Sequence, residues 1–233
     1  MKLLPGLHLI EGQRSNIYIW QGQNGLFMID SGSPGDVKRI LEYVEQIGFE
    51  ASDLVAIFIT HADIDHAGGV AALQAYSGAR VHAGAETAEL LAQGKSPDHM
   101  SRVVQFIVDH FMGYTPVEPE IIQVVADGEP LDDLADFQVL ATPGHTLDHY
   151  SICSDVHGIL FAGDAINTRG GRLKNTPKRI SADYEAACLS TMRLLKLHPA
   201  VFACGHGQPL ENHDANDIMA FYRQLEQQVK RNY

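Results

Sequence analysis

The segment Thr60-His61-Ala62-Asp63-Ile64-Asp65-His66-Ala67-Gly68-Gly69 constrains this chain most. It packs four metal-capable side chains into six positions directly after the apolar run Val55-Ala56-Ile57-Phe58-Ile59. A strand that delivers imidazoles and carboxylates into a turn, with a helix starting behind it, builds a rigid, open metal site. Taken alone, the same residues also describe a strand-to-helix turn in which Asp65 caps a helix starting near His66 and His61 is exposed. The metal reading gains its weight from recurrence. The apolar run 137–140 ends at Thr142-Pro143-Gly144-His145, the run 159–162 at Gly163-Asp164, and the run 201–203 at Cys204-Gly205-His206-Gly207. Four runs, far apart in sequence, each deliver His or Asp at their C-terminal ends, which independent loops rarely do by chance.

The elements around these runs read as α/β. Short apolar runs at 7–10, 17–20 and 26–29 predict a β-rich opening, closed by the loop Asp30-Ser31-Gly32-Ser33-Pro34-Gly35. Val37, Ile40, Leu41, Val44 and Ile47 fall at helical spacing and Gly48 stops the helix. Further helices are expected over 70–76, 85–92, 184–197 and from about 216, with strands at 55–59, 80–83, 121–125 and 151–153. No Ser/Gly/Pro-rich linker or repeat divides the 233 residues, so one domain over 1–233 is expected, with a helical insertion around 97–113. That insertion carries Met100, Val103, Val104, Ile107, Val108 and Phe111 at helical spacing, as a lid, a homodimer surface or a helix packed on the core.

Charge and cysteine usage narrow the partners. A net charge of −12 repels nucleic acid and anionic lipid, leaving a small-molecule substrate as the expected partner. Cys153, Cys188 and Cys204 form no CxxC pair and suit a reducing cytoplasm. The start, Met1-Lys2-Leu3-Leu4-Pro5-Gly6, breaks too soon for a signal peptide, and no run approaches the roughly 18 apolar residues of a membrane span.

His61, Asp63, Asp65, His66, His145, Asp164 and His206 together offer four imidazoles and three carboxylates, a donor set for zinc, iron or manganese. Seven donors exceed one tetrahedral site, whereas two cations about 3.5–4 Å apart, sharing a carboxylate and a bridging hydroxide, would use them all. The order His61-x-Asp63-x-Asp65-His66, then Thr-Pro-Gly-His145, Ala-Gly-Asp164 and Gly-His206-Gly resembles the metallo-β-lactamase-fold superfamily over nearly the whole chain. The resemblance implies a four-layer αββα sandwich. It also implies that His61, Asp63 and His145 hold a first metal, Asp65, His66 and His206 a second, and that Asp164 bridges them. The family's first motif reads His-x-His-x-Asp-His, and Asp63 stands here where its second histidine would be. A carboxylate there hardens the first site, moving preference from zinc, otherwise first choice, towards iron or manganese. Flavodiiron proteins of the same superfamily similarly place a glutamate at this position.

The resemblance further implies a hydrolase in which two divalent metal ions activate a water for attack on an ester, thioester, lactone or amide carbonyl, with Asp65 orienting the nucleophile. The alternative on the same fold is an iron-dependent redox enzyme acting on oxygen, nitric oxide or a persulfide. Asp30 resembles the family's Asp-Thr-Gly turn, as an acceptor behind the metal or as a plain turn residue. His149, four residues after His145, is assigned a structural role, and His8, His82, His99, His110, His157, His198 and His213 surface or core positions. Cys204 reads as a small buried residue, and Gly144, Gly163, Gly205 and Gly207 as turn glycines suited to positive φ. Arg169, Arg172, Lys174, Lys178 and Arg179 form a basic loop over 169–179, either attracting an anionic substrate group or solvated.

Overall fold

The structure, a computed structural model, describes residues 1–100, 105–106, 113–131, 134–211 and 213–231. Val103, Val104, Ile107, Val108, Phe111 and His110, and with them most of the insertion expected around 97–113, lie outside the described residues. The chain divides into two compact units, one of Met1–Pro97 with Phe106–Val125, the other of Asp98–Gln105 with Ala126–Tyr233.

Among the described residues the first unit holds a seven-stranded sheet whose strands follow chain order: β1 (Lys2–Leu4), β2 (Leu7–Glu11), β3 (Asn16–Gln21), β4 (Leu26–Ile29), β5 (Leu54–Phe58), β6 (Arg80–Ala83) and β7 (Ile122–Val124). The early runs are joined by short turns and so pair antiparallel. From β4 onward the strands run parallel, because helices now carry the chain back: α1 (Val37–Gln46) before β5, α2 (Ile64–Ala67) and α3 (Val70–Ser77) before β6, and α4 (Ala85–Gln93) before β7. Helix α1 buries Ile40 and Val44, one turn apart, and its chain leaves through Gly48 at φ +89°. These residues join Leu73 and Leu91 against Ile17, Ile19, Met28, Ile57 and Val81 of the strands. The alternate residues Tyr18, Phe27 and Phe58 are buried as well, so the central strands bury both faces and read as continuous apolar runs.

The second unit has a six-stranded sheet in the order β15-β14-β11-β10-β9-β8. Its strands are β8 (Pro130–Leu131), β9 (Leu134–Ala141), β10 (Tyr150–Ser154), β11 (Ile159–Gly163), β14 (Val201–Cys204) and β15 (Leu210–Glu211). Helices α5 (Tyr184–Leu195) and α6 (Ala215–Lys230) pack Cys188, Leu194, Leu195, Ile218 and Leu225 on Leu160, Ala162, Phe202 and Cys204. Where the sequence predicts a basic loop, β12 (Ile166–Asn167) and β13 (Lys174–Asn175) pair as a small hairpin. Strands of two residues carry too little periodicity to be read from sequence.

Strand direction fixes where the ligand candidates emerge. In the first unit β4 and β5 are adjacent and parallel, so Asp30 and the 60–66 segment leave the same sheet edge. In the second, β9 and β11 both run antiparallel to β10, and β14 runs parallel to β11. His145, Asp164 and His206 therefore follow three strand ends on one edge, the edge where open α/β sheets place their ligands.

Candidate metal centre

In the first unit everything converges on Asp30. It sits in the left-handed region at φ +59° and is buried. Its Oδ1 accepts the Thr60 amide at 2.9 Å and the Thr60 hydroxyl at 2.9 Å, and its Oδ2 accepts His66 Nδ1 at 2.7 Å. Thr60 spends its one hydroxyl proton on Asp30, so its Oγ1 accepts from His61 Nδ1, 3.0 Å away. Both imidazoles are thus protonated on Nδ1 and carry their lone pair on Nε2, the state a metal ligand needs. One carboxylate sets both tautomers, so the acceptor role of Asp30 holds over the plain turn.

The His61 and His66 rings lie 4.2 Å apart between centroids, and Asp63 Oδ2 is 3.4 Å from His61 Nε2. Asp63, rather than Asp65, is the N-cap residue of α2, and its carboxylate lies by His61 instead of on the helix backbone. Asp65 falls in the first turn of α2 and is half-buried, while His61 is fully buried. The reading of this segment as a plain turn with a capping Asp65 and an exposed His61 therefore does not describe it. Ser31 holds the His66 carbonyl from both its amide, at 2.7 Å, and its hydroxyl, at 2.8 Å.

In the second unit the organising group is Asp164. Its Oδ2 lies 3.5 Å from His145 Nε2 and 3.1 Å from His206 Nε2. His145 donates Nδ1–H to the Ile180 carbonyl at 2.8 Å, which again puts the lone pair on Nε2. His149, assigned a structural role from sequence, accepts the Asp164 amide on Nε2 at 2.9 Å and passes Nδ1–H to Thr142 Oγ1 at 2.8 Å. It therefore fixes the backbone of Asp164. Thr176 donates its hydroxyl to the Asp164 carbonyl, and Thr168 holds the His206 carbonyl through its amide at 2.9 Å. His99 is buried with its ring edge-on to His145, centroids 4.8 Å apart at 72°. Sequence gave no hint of that neighbour, because His99 lies far from every ligand motif.

Gly144, Gly163 and Gly207 adopt positive φ as expected; Gly205 does not, its amide being held by the Gly163 carbonyl at 2.8 Å. Gly144 has φ +142°, and a Cβ there would lie 2.1 Å from the Ala187 amide nitrogen, because α5 seats its first turn directly on this residue. Gly144→Ala is expected to lower stability by at least about 3 kcal/mol, overpacking and backbone strain adding together. Urea unfolding of the variant checks this.

The thiols stand outside the site chemistry. Burial, assisted by Asp155, pushes Cys153 up to about 11. Burial, then the charge of Asp164, raises Cys204 further still, so it stays a neutral packing group. The donor set is thus imidazole and carboxylate, which suits divalent zinc, iron or manganese. In the second unit, a cavity of about 830 Å³, lined by none of the seven ligand candidates, is walled by Arg172, Lys174 and Thr176 of the hairpin segment and by Tyr184, Phe221 and Gln228.

A family model described as the metallo-beta-lactamase superfamily matches residues 10–206, a span containing all seven ligand candidates. The "Probable metallo-hydrolase YflN" of Bacillus subtilis is 26% identical over 225 residues, covering 88% of this chain and 85% of that protein. A hydroxyacylglutathione hydrolase of Albidiferax ferrireducens is 30% identical over 202 residues, covering 84% of this chain but 64% of that enzyme. Among solved structures, a Cronobacter sakazakii metallo-beta-lactamase with a HARLDQ motif superposes with a TM-score of 0.73 at 23% identity, covering 100% of this chain and 93% of that one. No helix among the described residues is long and apolar enough to cross a membrane.

Proposed function

This chain belongs to the metallo-β-lactamase superfamily of metal-dependent hydrolases and has its α/β fold, and we propose that it cleaves a carbonyl substrate at a dinuclear centre. His61, Asp63 and His145 would hold the first divalent cation, Asp65, His66 and His206 the second, with Asp164 available to both. The observation that carries this reading is the position of Asp164 Oδ2, within 3.5 Å of one imidazole from each proposed set. Zinc is the expected occupant, iron or manganese the alternatives that the hard oxygen of Asp63 admits.

Two cations bound there would supply Lewis acidity towards the carbonyl oxygen and a water acidified to near neutrality. The residues do the rest. Asp30 and Thr60 hold the His61 and His66 rings in place before substrate arrives, so no reorganisation accompanies the reaction. Asp65, half-buried on the first turn of α2, accepts a hydrogen bond from the attacking water and orients it. Arg172 and Lys174, on the cavity wall in the segment that follows Asp164, attract an anionic group of the substrate.

The names of the relatives favour hydrolysis over the redox alternative and put hydroxyacylglutathiones first among the substrates to try, ahead of simple esters, lactones and amides. The purified chain is expected to bind two equivalents of metal. Chelation should lower kcat/KM by at least about 10³-fold, with recovery on adding metal back. A protein that carries both metals yet turns over no ester, thioester, lactone or amide overturns the assignment.

A further inference from the structure

We infer that His99 is a further ligand of the first metal, bound beside His145; the inference rests on the dinuclear reading above. His99 comes from the stretch Asp98–Gln105, which groups with the second unit. Its ring is buried and meets His145 edge-on, and one ring nitrogen from each lies within 4.8 Å of the other. Two imidazoles on one cation at about 2.0–2.1 Å hold their donor nitrogens roughly 3 Å apart, with rings rotated out of stacking. This pair is already edge-on, and closing the nitrogens from within 4.8 Å needs a small adjustment of side chains. The neighbour that His99 has been brought to is itself a ligand candidate.

The chemistry of the first site explains why a third imidazole belongs there. With Asp63 where the superfamily motif has its second histidine, His61 and His145 are the only imidazoles the motif residues offer to that metal. His99 supplies the missing nitrogen from a segment outside the motifs. The first site then combines three imidazoles with carboxylate oxygen, a set that accepts zinc as readily as iron. Without His99 it would be a harder, oxygen-rich site, and its preference would move to manganese or iron.

The competing role is packing, in which the ring fills space beside His145 and touches no metal. His99→Phe separates the two, since it keeps a ring against His145 and removes both nitrogens. The 233-residue chain, stripped by chelator dialysis, is titrated with zinc against a chromophoric chelator, with His145→Ala as control. His99→Phe is expected to bind the second metal normally. Its first-metal affinity should fall by more than the roughly 10–100-fold that an outer-sphere partner is worth. In the cobalt-substituted wild type, five hyperfine-shifted imidazole N–H resonances are expected, from His61, His66, His99, His145 and His206, and His99→Phe should lose one of them. Four resonances in the wild type, or wild-type affinity in His99→Phe, overturns the inference and leaves the dinuclear reading standing. If His145→Ala also binds both metals with wild-type affinity, His145 is not a ligand and the proposed first site fails; if the wild type binds fewer than two metals, the dinuclear reading itself fails. Should His99→Phe not fold, His99→Gln and the resonance count in the wild type still decide.

Discussion

Asp164→Ala is expected to lower turnover by at least about 10³-fold and to reduce bound metal from two equivalents to one or fewer. The carboxylate stands by an imidazole of each proposed set, 3.5 Å from His145 and 3.1 Å from His206. Under the proposed assignment its removal would take an anionic donor from both cations at once, whereas any other ligand variant would take a donor from one. The backbone around it should survive, because the Asp164 amide is held by His149 and its carbonyl by Thr176, contacts that do not involve the side chain. The metal-free variant is accordingly expected to unfold within a few degrees of the metal-free wild type, or above it, since a buried carboxylate costs stability when no cation offsets it. Asp164→Asn keeps an oxygen donor but loses the charge, and should retain one metal with intermediate activity. Metal analysis, turnover and thermal unfolding on the same preparations decide the matter. Two tightly bound metals in Asp164→Ala would show that this carboxylate does not bridge.

Much of this arrangement is legible in the amino-acid sequence, and the reason is strand direction. Strands β5, β11 and β14 each have a parallel neighbour, are buried on both faces and so read as unbroken apolar runs, whereas β9, antiparallel and partly exposed, shows a shorter run. Because β9 and β11 both run antiparallel to β10, and β14 runs parallel to β11, the residues after these three leave one edge of their sheet. What resisted reading was whatever depends on a partner remote in sequence. Asp30 looks like any turn aspartate until Thr60 and His66 are seen donating to it. His149 could be given a structural role but no partner, since that partner is the amide of Asp164. His99 has no motif around it, and its neighbour is visible in the folded chain alone. The plain-turn alternative puts the cap of α2 at Asp65, two residues late, because Asp63 and Asp65 are chemically alike in sequence and differ in backbone position.

The second large effect is expected at Asp30, where alanine and asparagine should fail in different ways. Asp30→Ala strands three buried donors, the Thr60 amide, the Thr60 hydroxyl and His66 Nδ1, and should cost about 3–5 kcal/mol of stability. It also puts a residue with no local hydrogen bond at φ +59°, which adds roughly 1 kcal/mol. Asparagine tolerates that backbone and keeps an oxygen for Thr60, so Asp30→Asn should fold with a smaller loss. Its amide nitrogen, however, then faces His66 Nδ1, where a donor meets a donor. The ring answers by moving its proton to Nε2, which removes the lone pair proposed to hold the second metal. Asp30→Asn is therefore expected to weaken metal binding by about 10–100-fold while losing far less stability than alanine. Urea unfolding of the metal-free proteins and zinc competition titrations separate the two quantities. If Asp30→Asn keeps wild-type affinity, then the tautomer of His66 is set by something other than this carboxylate, and the relay through Thr60 to His61 loses its purpose as well.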